Sequence, residues 1–414
     1  MLKTGYSGVV LGYYKQRVLH LKGMINRLQE NPEDFDLLRA VQLALLKQII
    51  LTERKIRFHH RNFGELKGRL RRGRLPKRAA STIKAKLRFT TNRTRQLQWL
   101  LHVWKAFGDA IPFIYLDKWS LKPLLYNHRT PDIKQRPGFL DGKEGLPGEF
   151  SVLMDALAHG VPAVLADLTN SIRHGDLCLL GDSFPVMIEV KSSQNENART
   201  DRQAETLHLI QDYLQTDTGL DVRGAPRLRR VAASMPEVSH GDYLNSLIAE
   251  AMRTGQAVGE PEPGLTYLAV SARGAVPFER LSKIGEARVF DLNHEKANAS
   301  WMSYQPFTLL IRDPEHLFAF LHGKLTLMVI LDIEVLRKLV ADRGWRLSLV
   351  DSGGWSWVIE RSTPGGEERL QVSRHFEGRI GMECTSLRWI LQSDEHLLNY
   401  AKALENGPSR ENGE

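Results

Sequence analysis

Two cysteines in 414 residues, Cys178 and Cys384, are too few and too far apart for a disulfide scaffold or a thiolate zinc site. Such sparse cysteine suits a reducing compartment, and a cytoplasmic protein is expected. No apolar run approaches the roughly 20 residues that span a bilayer. The opening MLKTGYSGVVLGYYKQR carries a short apolar patch and no convincing cleavage site, so it does not read as a signal peptide and no membrane partner is expected. Neither GxxxxGK[ST] nor another motor motif occurs, so any activity should not need ATP hydrolysed by this chain. Internal repeats and low-complexity domains are missing as well; only the tail over 406–414 reads as disordered.

Acidic residues are scarce in one place. Residues 54–95 hold 16 Lys or Arg and a single acid, Glu65, for a net of +15, so the rest of a chain whose total is +9 carries −6. The same region is periodic. Leu38, Val41, Leu45, Ile49, Thr52, Ile56, His59, Phe63, Leu66 and Leu70 step by three and four, as do Ile83, Leu87, Thr90, Thr94, Leu97, Leu101 and Trp104. Two long helices follow, joined by a turn within RLRRGRLPKR (69–78), the first opened by Asn31 as cap with Pro32 in first position. The expected element is an antiparallel hairpin over about 33–108, within a helical segment 1–130, whose distal half is cationic. Arg69, Arg71, Arg72, Arg74, Lys77, Arg78, Lys84, Lys86 and Arg88 are its candidate phosphate contacts. Charged faces are usually mixed in sign, so the one-sided excess favours nucleic acid; an acidic protein partner or a membrane surface is the alternative.

The densest chemistry lies in GDLCLLGDSFPVMIEVKSS, 175–193. DLCLL and PVMIEVK read as short apolar strands around a turn at Gly181, Asp182 and Ser183. Alternation puts Glu189 and Lys191 on one face and Val190 on the other. In a hairpin Asp176 falls beside Glu189 and Lys191, two acids and an ammonium on one sheet edge. An exposed ion pair is the plainer account of Glu189 and Lys191, but four apolar residues before them indicate burial, where such charges are costly unless a metal or substrate pairs them. Glu65-Leu66-Lys67 and Pro131-Asp132-Ile133-Lys134 repeat the acid-x-Lys pattern outside any apolar strand and are set aside as decoys.

Around this pair, GEFSVLMDALAHG (148–160) reads as a helix, VPAVLAD (161–167) as a strand, DRQAETLHLIQDYLQ (201–215) as an amphipathic helix, and RLRRVAAS (227–234) as a closing strand. Asp176, then Glu189-Val190-Lys191 after twelve residues, in this order of elements, resembles the PD-(D/E)xK nuclease superfamily over 148–235. The resemblance implies an αβββαβ restriction-endonuclease-like core with a mixed sheet, and a metal-dependent nuclease using Mg²⁺ or Mn²⁺. It implies Asp176, Glu189, Glu149 and the Val190 carbonyl as metal ligands, and Lys191 orienting water or stabilising charge. Glu149 matches the helix-borne acid of many members, although helix N-termini favour acids in any protein. Gln203 matches the motif glutamine of exonuclease-like branches, but Leu207 stands where those carry tyrosine; Gln203 also suits a solvated helix face. DNA cleavage in a prokaryotic defence or DNA-processing system is the function implied. RNA cleavage, and a non-catalytic nucleic-acid binder on the same fold, are the alternatives.

Residues 240–405 read as a C-terminal α/β module without a triad or ligand cluster, making the whole an α/β (α+β) chain. HGDYLNSLIAEAMRTG is a predicted helix, AVGEPEPG a loop, and LTYLAVS, QPFTLLIRD and KLTLMVILD strands; RLSLV, WSWVIER and ERLQVS form a meander. A last helix covers roughly 386–404. Trp355 and Trp357 are expected on one strand face, as core or interface, with stacking on bases the alternative. An oligomer contact or partner protein would use this module or the hairpin.

Overall fold

The computed structural model describes residues 8–73, 75–181, 183–190, 198–231, 235–276, 279, 284–350, 352–364 and 366–405. It is a mixed α+β chain with several small antiparallel sheets. Two compact units result: Met1–Arg229 with Ala297–Gly323, and Arg230–Lys296 with Lys324–Glu414. The helical hairpin and the acid-bearing strands, expected as separate domains, lie together in the first unit, as does 297–323 from the expected C-terminal module. No helix among the described residues is long and apolar enough to cross a membrane.

In the first unit, α1 (Gly8–Gly12) and α2 (Lys15–Glu30) precede the hairpin of α3 (Phe35–Arg72) and α4 (Lys77–Tyr115). The hairpin starts later than its sequence signals: Asp34, not Asn31, caps α3, its carboxylate accepting the Leu37 N–H at 2.8 Å. The expected seam is buried from Leu38 to Ile56 but only half-buried at Phe63, Leu66 and Leu70, so the distal arm is thinly packed. Arg69, Arg71, Arg72, Lys77, Arg78, Lys84, Lys86 and Arg88 are exposed, and Arg74 lies outside the described residues. Helices Phe307–Leu310 and Pro314–His322 complete this layer, the Thr308 carbonyl accepting from buried Lys22 Nζ at 2.6 Å. QPFTLLIRD is thus a short helix rather than a strand, the usual ambiguity of a brief apolar run.

After α5 (Lys118–Leu121) comes α6 (Leu146–Ala158), then three three-residue strands, β1 (Ala163–Leu165), β2 (Leu177–Leu179) and β3 (Val186–Ile188), and α7 (Ala198–Thr216). They form an antiparallel meander in the order β1-β2-β3. The expected fourth strand does not join it. Instead β4 (Thr218–Val222) and β5 (Ala225–Arg229) pair with each other as a separate hairpin, so the sheet is antiparallel throughout and not mixed. The hairpin helices hold this small sheet. Gln42 of α3 closes the edge of β1, donating to the Ala163 carbonyl at 2.9 Å and accepting the Leu165 N–H at 3.1 Å. A Cβ at Gly108 of α4 would stand 2.0 Å from the Leu168 carbonyl oxygen, so only glycine allows this contact. One residue on, buried Asp109 accepts the backbone N–H groups of Asn170 and Ser171 at 2.7 and 2.8 Å.

The second unit has α8 (Gly241–Thr254) on a four-stranded antiparallel sheet ordered β6-β7-β9-β8, of β6 (Gln256–Glu262), β7 (Leu265–Ser271), β8 (Ala287–Asp291) and β9 (Leu325–Asp332). A second sheet, β10 (Arg346–Leu349), β11 (Trp355–Thr363) and β12 (Gly366–Ser373), is the expected meander. The supposed loop AVGEPEPG is mostly β6; the expected last helix is present as Leu387–Glu405, and a further helix, Arg374–Met382, precedes it. Trp355 and Trp357 part company: a register shift between them leaves Trp357 buried and Trp355 exposed.

Candidate active site

Asp176 is stitched to both neighbouring strands. Its carbonyl accepts the Ala166 N–H at 2.9 Å beyond β1, and its own N–H donates to the Ile188 carbonyl at 2.8 Å. Gly175, with φ of +66°, makes this approach possible: a Cβ there would stand 2.9 Å from the same Ile188 oxygen. The Asp176 side chain then reaches across β3, Oδ2 accepting the Val190 N–H at 3.0 Å.

Its other oxygen meets a residue that the strand pattern did not flag. Lys143 Nζ lies 3.0 Å from Asp176 Oδ1, 2.8 Å from Glu149 Oε1 in the first turn of α6, and 2.8 Å from Asp167 Oδ2 just after β1. Lys143 is set there by a tight turn. Its N–H donates to the Leu140 carbonyl at 3.0 Å, and Gly142 takes the positive φ, +77°, that the third position of a type II turn requires. Asp141 in that turn is pinned to α3: its N–H donates to Glu53 Oε2 at 2.9 Å, and its carboxylate pairs with Arg54 at 2.9 Å and Arg57 at 3.1 Å.

The electrostatics follow from burial and this pairing. Burial opposes the Lys143 charge, but hydrogen bonds to Asp167 and Glu149 outweigh it and hold the ammonium well above its ordinary pKa. Glu149 is 2 % exposed, and its pKa is raised by burial, with Lys143 pulling the other way. Behind the cluster, burial lowers Lys105 against the attraction of Asp167, Glu53 and Asp109, and raises Glu53. With all three carboxylates ionised around one ammonium, the centre has a formal charge of −2.

Three carboxylate oxygens about one cationic point are the hard donors that magnesium or manganese prefers. The point is filled by the ammonium, however, and among the described residues no group of three or more His, Cys, Asp or Glu side chains is disposed to hold a metal ion. The donor chemistry fits a divalent ion; the space admits one only when Lys143 withdraws.

Of the expected ligands, Glu149 and Asp176 come together and are joined by Asp167. Glu189 is not among the carboxylates around Lys143. A regular continuation of the Leu177↔Ile188 register would set Asp176 against Glu189, but the bonds to the Ile188 carbonyl and the Val190 N–H depart from that ladder. Val190 packs towards α6, 3.8 Å from where a Cβ of Gly148 would stand, while Glu189 meets α7, with Gln203 Nε2 3.5 Å from its Oε1. Lys191, with Ser192 and Ser193, lies outside the described residues. Beside Glu189 stands Lys134, whose pKa burial lowers and the Glu189 charge raises. This is the lysine of the Pro131-Asp132-Ile133-Lys134 decoy, brought back to the site by the chain fold. Asp167 carried one visible signal, an acid at the exit of an apolar strand; Lys143, in a Gly-rich turn, carried none. Comparison with family models, curated proteins and solved structures finds no match to this chain.

Proposed function

We propose that this chain is a metal-dependent nuclease, with DNA as its expected substrate and prokaryotic defence or DNA processing as its setting. The observation that carries the reading is the convergence of Glu149, Asp167 and Asp176 on one cationic point at the mouth of β2. These three would hold magnesium or manganese, which when bound supplies Lewis acidity and a hydroxide nucleophile near neutral pH. Asp176 is fixed for this by the Val190 N–H, and Glu149 by its place in the first turn of α6. Lys143, on leaving the carboxylates, keeps a positive charge within reach of phosphoryl oxygens. The exposed basic face of the α3–α4 hairpin would grip the backbone without reading sequence.

One observation favours a second reading: an ammonium already occupies the point on which the carboxylates converge, as it would in a nucleic-acid binder that has no turnover. Incubating plasmid, single-stranded DNA and total RNA with Mg²⁺, Mn²⁺ or EDTA separates the two. Cleavage abolished by EDTA, and reduced about a hundredfold or more in Asp176→Asn and Glu149→Gln variants that melt like the wild type, supports the nuclease. Binding without cleavage in either metal supports the binder, and cleavage of RNA alone would change the substrate.

A further inference from the structure

On the Glu189 side of the β2–β3 exit is a cleft of about 590 Å³. One wall is a small hairpin: Tyr126 bridges Ile133, the Asn127 N–H donates to the Asp132 carbonyl at 2.9 Å, and the Lys134 N–H donates to the Leu125 carbonyl at 3.1 Å. The opposite wall is α7 from Arg202 to Leu209, with Glu189 on the floor. Arg129 and Glu205 face each other across the mouth at 3.9 Å, both well exposed.

Lys134 is built in rather than left on the surface. Buried Arg173 donates to its carbonyl oxygen and to that of Asn170. Its ammonium lies 3.1 Å from Nδ1 of His174, a ring 2 % exposed, whose Nε2 is 2.9 Å from the Tyr126 carbonyl. The carbonyl takes the Nε2 proton, and the Nδ1 lone pair accepts from the ammonium. A neutral imidazole orients the ammonium without cancelling its charge. Arg129 and Arg202 add cations, and Asn127 and Thr130 add neutral donors. Lys134, Arg129 and Arg202 set against Glu189 and Glu205 leave the cleft a formal charge of +1, with a positive anchor of fixed direction, which matches a phosphodiester carrying one charge on two oxygens.

We infer that this cleft is a phosphate subsite for a nucleic-acid strand, in which Lys134 donates to a phosphoryl oxygen and His174 holds that ammonium in place. The choice of strand rests on the nuclease reading; the anion chemistry of the cleft does not.

The test is fluorescence anisotropy of the full chain with a labelled single-stranded DNA oligonucleotide in EDTA, where cleavage plays no part. Lys134→Met should weaken binding about tenfold, the loss of one charge-assisted hydrogen bond. It should also flatten the salt dependence by about 0.7 in log–log slope, one phosphate fewer on a single strand. Lys134→Arg should retain most of the affinity. Arg202→Gln, exposed on the far wall, should weaken binding severalfold and serves if Lys134→Met does not fold. An abasic strand of equal length should show the same dependence on Lys134, since the phosphates remain. Unchanged affinity and salt slope in both Lys134→Met and Arg202→Gln would overturn the subsite, as would a wild type that binds no strand. A wild type that cuts nothing with any metal, yet needs Lys134 to bind, would remove the nuclease reading and keep the subsite.

Discussion

Removing the Lys143 ammonium strands three carboxylates in a partly dewatered site, and breaking a buried ion cluster by taking one partner is worth roughly 3–5 kcal/mol. Lys143→Met should therefore lower the unfolding free energy by about 3 kcal/mol at pH 7.5 in urea denaturation. The sign of its pH dependence follows from Glu149, whose pKa burial already raises above 4.5. A folded acid of raised pKa binds more protons than the unfolded chain, so its penalty is absent below about 4.5 and grows as pH rises. Without Lys143 to oppose burial that window widens, and the gap between variant and wild type should shrink towards pH 4.5. Manganese should raise the melting temperature of Lys143→Met more than that of the wild type, because the ion no longer competes with an ammonium. An equal metal response in the two proteins would sever Lys143 from the ion site. Asp176 and Glu149 were legible in sequence because each sits in a local pattern, a strand mouth and a helix first turn. Lys143 and Lys134 were not, because tertiary turns deliver them. Lys143 depends on the pinning of Asp141 by residues more than 80 positions earlier in the chain, and Lys134 on a buried histidine 40 residues on.

At the scale of elements, periodicity served the long helices well and the short strands poorly. The α3 and α4 seams repeat over many turns, and their burial near the sheet follows the pattern. By contrast β1, β2 and β3 have three residues each, too few for alternation to say which face an acid takes once the ladder slips at its exit. The segment β6 hid its strand character behind glutamates and a proline that a sheet edge tolerates. The hairpin itself predicts a separable function. Its distal seam is half-buried and its basic side chains exposed, so charge there can change at little cost to folding. Replacing Arg69, Arg71, Arg72, Lys77 and Arg78 with glutamine should weaken duplex binding and flatten the log–log salt slope by about 0.9 for each phosphate left without its cation. The melting temperature should stay close to that of the wild type. A salt slope equal to that of the wild type would assign the hairpin to a protein partner.

At the scale of the whole molecule, sequence order and spatial unit disagree, and that disagreement can be measured. The first unit takes in Ala297–Gly323, which returns after an excursion through the second. The returning segment does more than cover a surface. Thr308, fully buried, donates its hydroxyl to the Ala106 carbonyl of α4 at 2.9 Å, while its own carbonyl receives the Lys22 ammonium. Burial lowers the Lys22 pKa to about 8 even with that bond in place. Phe307 stacks edge-on with Trp301 and Phe320, their ring centroids 5.5 and 6.1 Å apart, in the same layer. Cutting the chain after Arg229 would remove the acceptor of Lys22 and open the apolar faces of α2 and α4 to water, a combined loss of several kcal/mol against a typical total of about 5–15. The 1–229 fragment should thus keep helical circular dichroism from the hairpin but lose a cooperative thermal transition. Supplying 297–323 through a short Gly/Ser linker should restore it. A fragment ending at Arg229 that melts as sharply as the full chain would show that the strands and hairpin hold together without the returning segment, and that the carboxylate cluster owes its geometry to residues before 230 alone.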